Sequence, residues 1–252
     1  MLSVMIITKN EAKNIERCLR SVAFADEIVV LDSGSVDNTV ALAKQFTENV
    51  FETDWPGYGK QKQRALDHCK GDWILNLDAD ECVSAELQSV ILASLKEDNQ
   101  DAYRIPVIMH FYGKPLPHCS SPTRHARLFK RQGARFSDDI VHEKIILPAG
   151  SRVGQLKAPI LHQSFQDISH VLSKINRYSS YSAKIRLDNN KRGNLFITFV
   201  KSMWMFTRCY ILQRGFLDGK SGLLFAIFNA QGTFYRGIKQ LYPDADKDCL
   251  PD

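Results

Sequence analysis

Short apolar runs that stop at polar clusters constrain this fold most. Residues 2–7, 27–31, 50–52 and 73–77 each read as a strand. Helical spacing fills the gaps between them. Ile15, Leu19 and Val22 recur after the first run. Asp37, Asn38 and Thr39 offer a cap for a helix over residues 40–46. Residues 59–70 read as a third helix, with Ala65, Leu66 and Cys69 apolar. Alternating strands and helices predict a mostly parallel sheet flanked by helices. The strand ends of such a sheet share one edge, where ligands bind. Here they read Thr8-Lys9-Asn10-Glu11, Asp32-Ser33-Gly34-Ser35 and Asp78-Ala79-Asp80-Glu81.

The third of these ends carries three carboxylates within four positions. Clustered carboxylates repel and resist desolvation unless a cation sits among them. Hard oxygens suit Mg²⁺ or Mn²⁺, held by one or two acids plus substrate phosphates. A solvated acidic turn is the plain alternative, as a helix cap is for Asp32 and a first-turn charge for Glu11. The chain has neither G-x-G-x-x-G nor G-x-x-x-x-G-K-[ST], which argues against a dinucleotide enzyme and a P-loop NTPase.

With 252 residues the chain can bury a full core. Its net charge of +5 tilts toward nucleotides, phosphates and lipid head groups. That charge is too modest to single out nucleic acid, which is not an expected partner. Six cysteines without a C-x-x-C pair fit a reducing cytosol. The first residues lack a basic n-region and are expected to form a strand, not a signal peptide.

Three ordered motifs carry a resemblance. They are Ser3-Val4-Met5-Ile6-Ile7-Thr8-Lys9-Asn10-Glu11, the run from Val29 through Asp32 to Thr39, and Gly71-Asp72-Trp73-Ile74-Leu75-Asn76-Leu77-Asp78-Ala79-Asp80-Glu81. Together they resemble the signature of family-2 glycosyltransferases with the GT-A fold. Within that family they look most like the bacterial lipopolysaccharide inner-core β-1,4-glucosyltransferases that extend heptose. The motifs cover about the first 82 residues. The resemblance implies a UDP-linked sugar donor, a lipid-linked saccharide acceptor and inverting transfer. By it, Thr8, Glu11 and Asp32 hold uridine and ribose, with Asn10 on the same strand end. Asp78 meets the donor ribose, and Asp80 is the direct metal ligand. Lys62-Gln63 replace the family's Arg-Asn pair, a departure that leaves Lys62 as a point cation for a phosphate. A solvated basic helix face is the alternative for Lys62.

The expected organisation is an α/β GT-A core over residues 1–165, divided near 82, and a helical extension over 166–252. Residues 101–112 read as a strand. Residues 124–130 and 134–136 read as a hairpin turning at 131–133. A sugar hydroxyl needs a carboxylate or imidazole to take its proton. Glu143 is the favoured base, followed by Asp139 and His142. Neighbours on an extended segment point opposite ways, so one of His142 and Glu143 faces the sugar. His162 is a candidate metal or diphosphate contact, with a structural histidine as the alternative. Residues 167–187 read as a helix.

Residues 195–212 are the most apolar stretch, interrupted by Lys201 and Arg208. That pattern falls short of a transmembrane helix and fits a membrane interface. Residues 191–242 hold eight cations against the single carboxylate Asp218. An anionic membrane surface is therefore an expected partner, and the resemblance implies that it is the cytoplasmic face of the bacterial inner membrane. A helical hairpin packed on the sheet or a second subunit is the alternative. Two other functions compete: a nucleotidyltransferase, which would want a Gly-rich phosphate loop after the first strand, and a non-catalytic binding module.

Overall fold

The computed structural model describes residues 1–111, 113–120, 123–138, 144–165 and 168–243. Its strands are β1 (Leu2–Thr8), β2 (Glu27–Asp32), β3 (Val50–Glu52), β4 (Trp73–Asp78), β5 (Glu81–Val83), β6 (Ala102–Phe111), β7 (Lys114–Pro115), β8 (Thr123–Lys130), β9 (Arg135–Phe136), β10 (Ile145–Ile146), β11 (Val153–Gln155) and β12 (Ile160–Phe165). Its helices are α1 (Ile15–Ser21), α2 (Thr39–Ala43), α3 (Tyr58–His68), α4 (Ala85–Glu97), α5 (Ile168–Asp188), α6 (Leu195–Thr207) and α7 (Gly219–Leu241). The chain divides into two compact units. One is Met1–Val107 with Thr123–His162, and the other is Ile108–Pro122 with Gln163–Asp252.

The main sheet has the order β3-β2-β1-β4-β8-β6-β12-β5. Strands β1 to β4 run parallel, and β8 is antiparallel to both β4 and β6. Register aligns the strand ends: Thr8 lies opposite Asp32, and Ile7 opposite Asp78. Alternate residues feed two cores. Val4, Ile6, Val30, Leu75 and Leu77 pack with Ile15 and Leu19 of α1. Met5, Ile7, Val29, Leu31 and Ile74 pack with Ala65 and Leu66 of α3. Each such side chain contributes roughly 1.5–3 kcal/mol on burial. By the same alternation Asn76 and Asp78 fall on the α3 face. Gly71 leads into β4 so close to β1 that an added Cβ would lie 2.5 Å from Ser3 Oγ.

The expected hairpin between residues 124–130 and 134–136 does not form. Strand β8 is buried on both faces, since Leu128 joins one core and Phe129 the other. Such a strand needs a neighbour on each side, and β4 and β6 supply them. The chain then turns at Arg131, whose Nε donates to Gly71 O at 3.1 Å. This brings β9 beside α3, where the Phe136 amide donates to Gln63 Oε1 at 2.8 Å. There β9 pairs with β10.

The helical unit closes on a small core of Phe111, Leu116, Cys119, Val171 and Phe225. Helix α6 starts at Asn194, whose Oδ1 accepts from the Ile197 amide at 3.0 Å. It packs on α7 where Gly237 leaves room for Thr198. A π-helical turn, Arg208–Leu212, and a 3₁₀ turn, Gly215–Asp218, join α6 to α7. The Asp218 carboxylate accepts from the Cys119 amide at 2.9 Å and the His118 amide at 3.3 Å, and meets His118 Nδ1 at 2.6 Å. Leu195–Leu212, at mean hydropathy 1.3, is long and apolar enough to cross a membrane by length and composition. The sequence reading places it short of a span because of Lys201 and Arg208.

Candidate functional site

Strand β4 delivers Asp78 to the crevice at its carboxyl end. Helix α3 lies on that face and points Lys62 at it, with Nζ 3.1 Å from Asp78 Oδ1. Arg127 comes from the neighbouring β8 and sets Nη2 3.4 Å from Asp78 Oδ2. The same Nη2 donates to Glu81 Oε1 at 2.8 Å. Glu81 Oε2 in turn accepts from the Asp78 amide at 2.9 Å. Lys62, Arg127 and Glu81 are buried. Two protein cations thus answer the repulsion expected of this acidic turn. Burial works to raise the Asp78 carboxyl, but Lys62 and Arg127 outweigh it and hold it well below the usual range. At Glu81 burial prevails over Arg127, and the carboxyl is pushed up.

Asp80 sits in the turn between β4 and β5. His162 on β12 pairs with Glu81 in register, which carries its ring to that turn. His162 Nε2 lies 2.8 Å from Asp80 Oδ2. Burial disfavours the imidazolium at His162, but Asp80, Glu81 and Asp78 more than compensate, so its pKa is raised. Among the described residues no group of three or more His, Cys, Asp or Glu side chains could hold a metal. The Asp80–His162 pair offers one hard oxygen and one imidazole nitrogen. That set fits a divalent ion of the Mg²⁺ or Mn²⁺ kind, which takes few protein ligands and fills its shell with phosphate and water.

The first two strand ends are laced together. Asn10 takes a left-handed backbone, φ 56°, and its Oδ1 accepts from the Val36 amide at 2.9 Å. The Asn10 amide donates to Ser35 Oγ at 2.8 Å. The Glu11 amide donates to Thr39 Oγ1 at 2.8 Å, and Glu11 Oε2 accepts from Asn14 Nδ2 at 2.7 Å. Asp32 is buried and accepts from the Ser35 amide at 2.7 Å and from Ser35 Oγ at 2.5 Å. Thr8 Oγ1, Asn76 Oδ1 and Gln61 Oε1 are buried with no hydrogen-bond partner. Buried polar atoms are nearly always satisfied, so these three keep a hydrogen-bonding capacity that the protein itself leaves unused.

The structure therefore places Thr8, Asn10, Glu11, Asp32, Lys62, Asp78, Asp80 and His162 at strand ends of the sheet unit or on elements bonded to them. Lys62 is a buried partner of Asp78, not a solvated helix face. Asp139, His142 and Glu143 lie outside the described residues. Sequence reasoning singled out neither Arg127 nor Gln61, and took Glu81 only as the third carboxylate of the acidic turn. Arg127 left one signal: a cation inside a strand whose neighbours are apolar demands a buried counter-charge.

The family model described as glycosyl transferase family 2 matches residues 3–151. An uncharacterized glycosyltransferase of Rickettsia felis is 34% identical over 251 residues, 94% of this chain and 88% of that protein. The lipopolysaccharide core biosynthesis glycosyltransferase LpsC of Rhizobium meliloti is 27% identical over 260 residues, covering 97% of this chain and 96% of LpsC. Among solved structures, S. aureus TarS 1-349 in complex with UDP-GlcNAc gives a TM-score of 0.49 at 17% identity, over 95% of this chain and 81% of that one.

Proposed function

The chain belongs to glycosyltransferase family 2, and from that premise we propose that it transfers glucose from UDP-glucose to a lipid-linked saccharide, the heptose of a lipopolysaccharide inner core. Likeness to LpsC over nearly the whole of both chains supports the lipopolysaccharide acceptor. The observation that carries the donor reading is the Asp80–His162 pair at 2.8 Å, beside an Asp78 already balanced by Lys62 and Arg127.

Thr8, Asn10, Glu11 and Asp32 seat the uridine and ribose. Thr8 Oγ1 has an open hydrogen-bonding capacity for that purpose. Lys62 and Arg127 keep Asp78 ionised and fixed toward the donor ribose. Asp80 and His162 would hold the divalent ion, Mg²⁺ or Mn²⁺. That ion, when bound, neutralises charge on the departing diphosphate. Glu143 takes the proton of the acceptor hydroxyl, with Asp139 and His142 as the alternative bases. Direct displacement by that hydroxyl inverts the anomeric carbon. The residues 1–165 form the catalytic domain in this reading, and 166–252 the extension. A lipid-anchored acceptor puts the work at the cytoplasmic face of the inner membrane, with peripheral attachment.

Calorimetric titration of nucleotide sugars with and without Mn²⁺ tests the site. UDP-glucose should bind in a metal-dependent way, and Asp80→Ala should lose that dependence and the transfer to a heptosyl acceptor. Unchanged metal-dependent binding in Asp80→Ala would overturn the assignment.

A further inference from the structure

Helix α6 is sorted inside out. At 100° per residue, Thr198, Ser202 and Met205 define one side of α6, and Thr198 is buried, as is Cys209 in the π-helical turn that follows. The opposite side carries Phe196, Val200, Met203 and Trp204, all exposed, and Ile211 of the π-helical turn is exposed as well. Phe196 is 75% exposed and Trp204 58%. Lys201 and Arg208 lie along one margin of that apolar face, also exposed. The 3₁₀ turn beyond it exposes Phe216 and Leu217. A recess of about 370 Å³ between α6 and α7 is lined by Met203, Phe206, Ile227 and Phe234, so Met203 serves both the recess and the outward face.

Charge identifies the occupant. Lys191, Arg192, Lys201, Arg208, Arg214 and Lys220 are exposed. The one carboxylate of this stretch, Asp218, is turned inward onto His118 and Cys119. A second copy of the chain would bring the same cations against themselves and be repelled. An anionic bilayer offers both an apolar layer for the aromatics and anionic head groups for the cations.

We propose that the outward face of α6, with the Gly215–Asp218 turn, lies in the head-group layer of an anionic membrane and lodges acyl chains against its apolar side. The helix lies flat in this arrangement. A span would bury Lys201 and Arg208 in hydrocarbon, and its Thr198 side is taken by α7. The inference rests on the proposed lipid-linked acceptor only in that both need a membrane, and its test uses no sugar transfer.

The test is flotation of the full chain with phosphatidylglycerol-rich vesicles and with phosphatidylcholine vesicles. Wild type should float with the anionic vesicles at low salt, and be released by high salt or by carbonate. Phe196→Ser with Trp204→Ser, and separately Lys201→Glu with Arg208→Glu, should each lower binding at least tenfold. Thermal unfolding and UDP titration of both variants should match wild type, which separates lost docking from lost fold or lost donor site. The proposal fails if wild type does not float, or if both double variants still bind. Retention after carbonate, the mark of a span, would overturn it. So would a dimer in sedimentation that Trp204→Ser dissolves. Flotation without any UDP-sugar binding would leave this surface standing and sink the donor reading instead.

Discussion

In the sheet unit Lys62, Glu81 and Arg127 are buried, with Asp78 beside them, while in the helical unit Phe196, Trp204 and their neighbours stand in solvent. Ordinary sorting puts charges outside and large apolar groups inside. The two units break that rule in opposite directions. In the first, Lys62, Glu81 and Arg127 each have an opposite partner within 3.4 Å. In the second, no packing partner covers the α6 face among the described residues. Buried ion pairs are weak contributors to stability, and exposed aromatics contribute none. Departures of this kind collect at functional sites. One unit keeps a fixed electrostatic frame, and the other keeps an uncommitted apolar surface.

The comparison breaks hardest at Arg127. Arg127→Met removes the guanidinium that bridges Asp78 and Glu81, and leaves Glu81 buried without its ion pair. Stranding a buried charge in this way is destabilising by about 3–5 kcal/mol. Urea unfolding followed by far-ultraviolet circular dichroism measures it. A loss under about 1 kcal/mol would mean that the acidic turn relaxes into water and no rigid frame exists.

A smaller effect sharpens the contrast in the helical unit, at the inward carboxylate of Asp218. Asp218→Asn weakens the acceptor for the Cys119 amide and the ion pair to His118. The expected loss is about 1–3 kcal/mol. Burial works to raise the Asp218 carboxyl, but the Cys119 amide and His118 bonds hold it below its ordinary value. A carboxyl lowered in the folded state adds stability above its unfolded pKa, and that stability fades as pH falls through the folded one. Stability of wild type should therefore drop below about pH 4 more steeply than that of Asp218→Asn. Urea midpoints of the two proteins between pH 6 and pH 2.5 measure this, and parallel curves would remove Asp218 as a clamp.

The frame and the surface were unequally legible in the sequence. Strands β1, β2 and β4 and their polar ends follow from period and composition, because each is a short apolar run with an abrupt stop. Register then brings Thr8 and Asp32 level without further information. Strand β8 was visible, but its partners were not. Nothing local distinguishes a hairpin from a strand inserted between β4 and β6, since pairing is decided by two-sided burial. Arg127 escaped notice for the same reason. Its role exists only once β8 lies beside β4. The apolar stripe of α6 was evident, yet a stripe reads alike whether it meets a core, a second subunit or lipid. The exposure of Phe196 and Trp204 removes the chain's own core from that list and leaves the other two.

The smallest effect belongs to Thr8, and it separates a ligand seat from a structural residue. Thr8 Oγ1 is buried without a partner, while Asp32 opposite it is held by Ser35. A buried hydroxyl with no partner adds nothing to the empty protein, because it has left water and found no replacement bond. Thr8→Val keeps the branched shape of the strand residue and removes only that hydroxyl. Thermal stability of the free protein should stay within about 0.5 kcal/mol of wild type, or rise. UDP affinity should fall about two- to tenfold, the value of one hydrogen bond of 0.5–1.5 kcal/mol. Calorimetry of UDP binding alongside thermal unfolding reads both quantities on the same sample. A valine variant that loses stability and keeps its UDP affinity would make Thr8 part of the frame, and would move the nucleotide seat away from the end of β1.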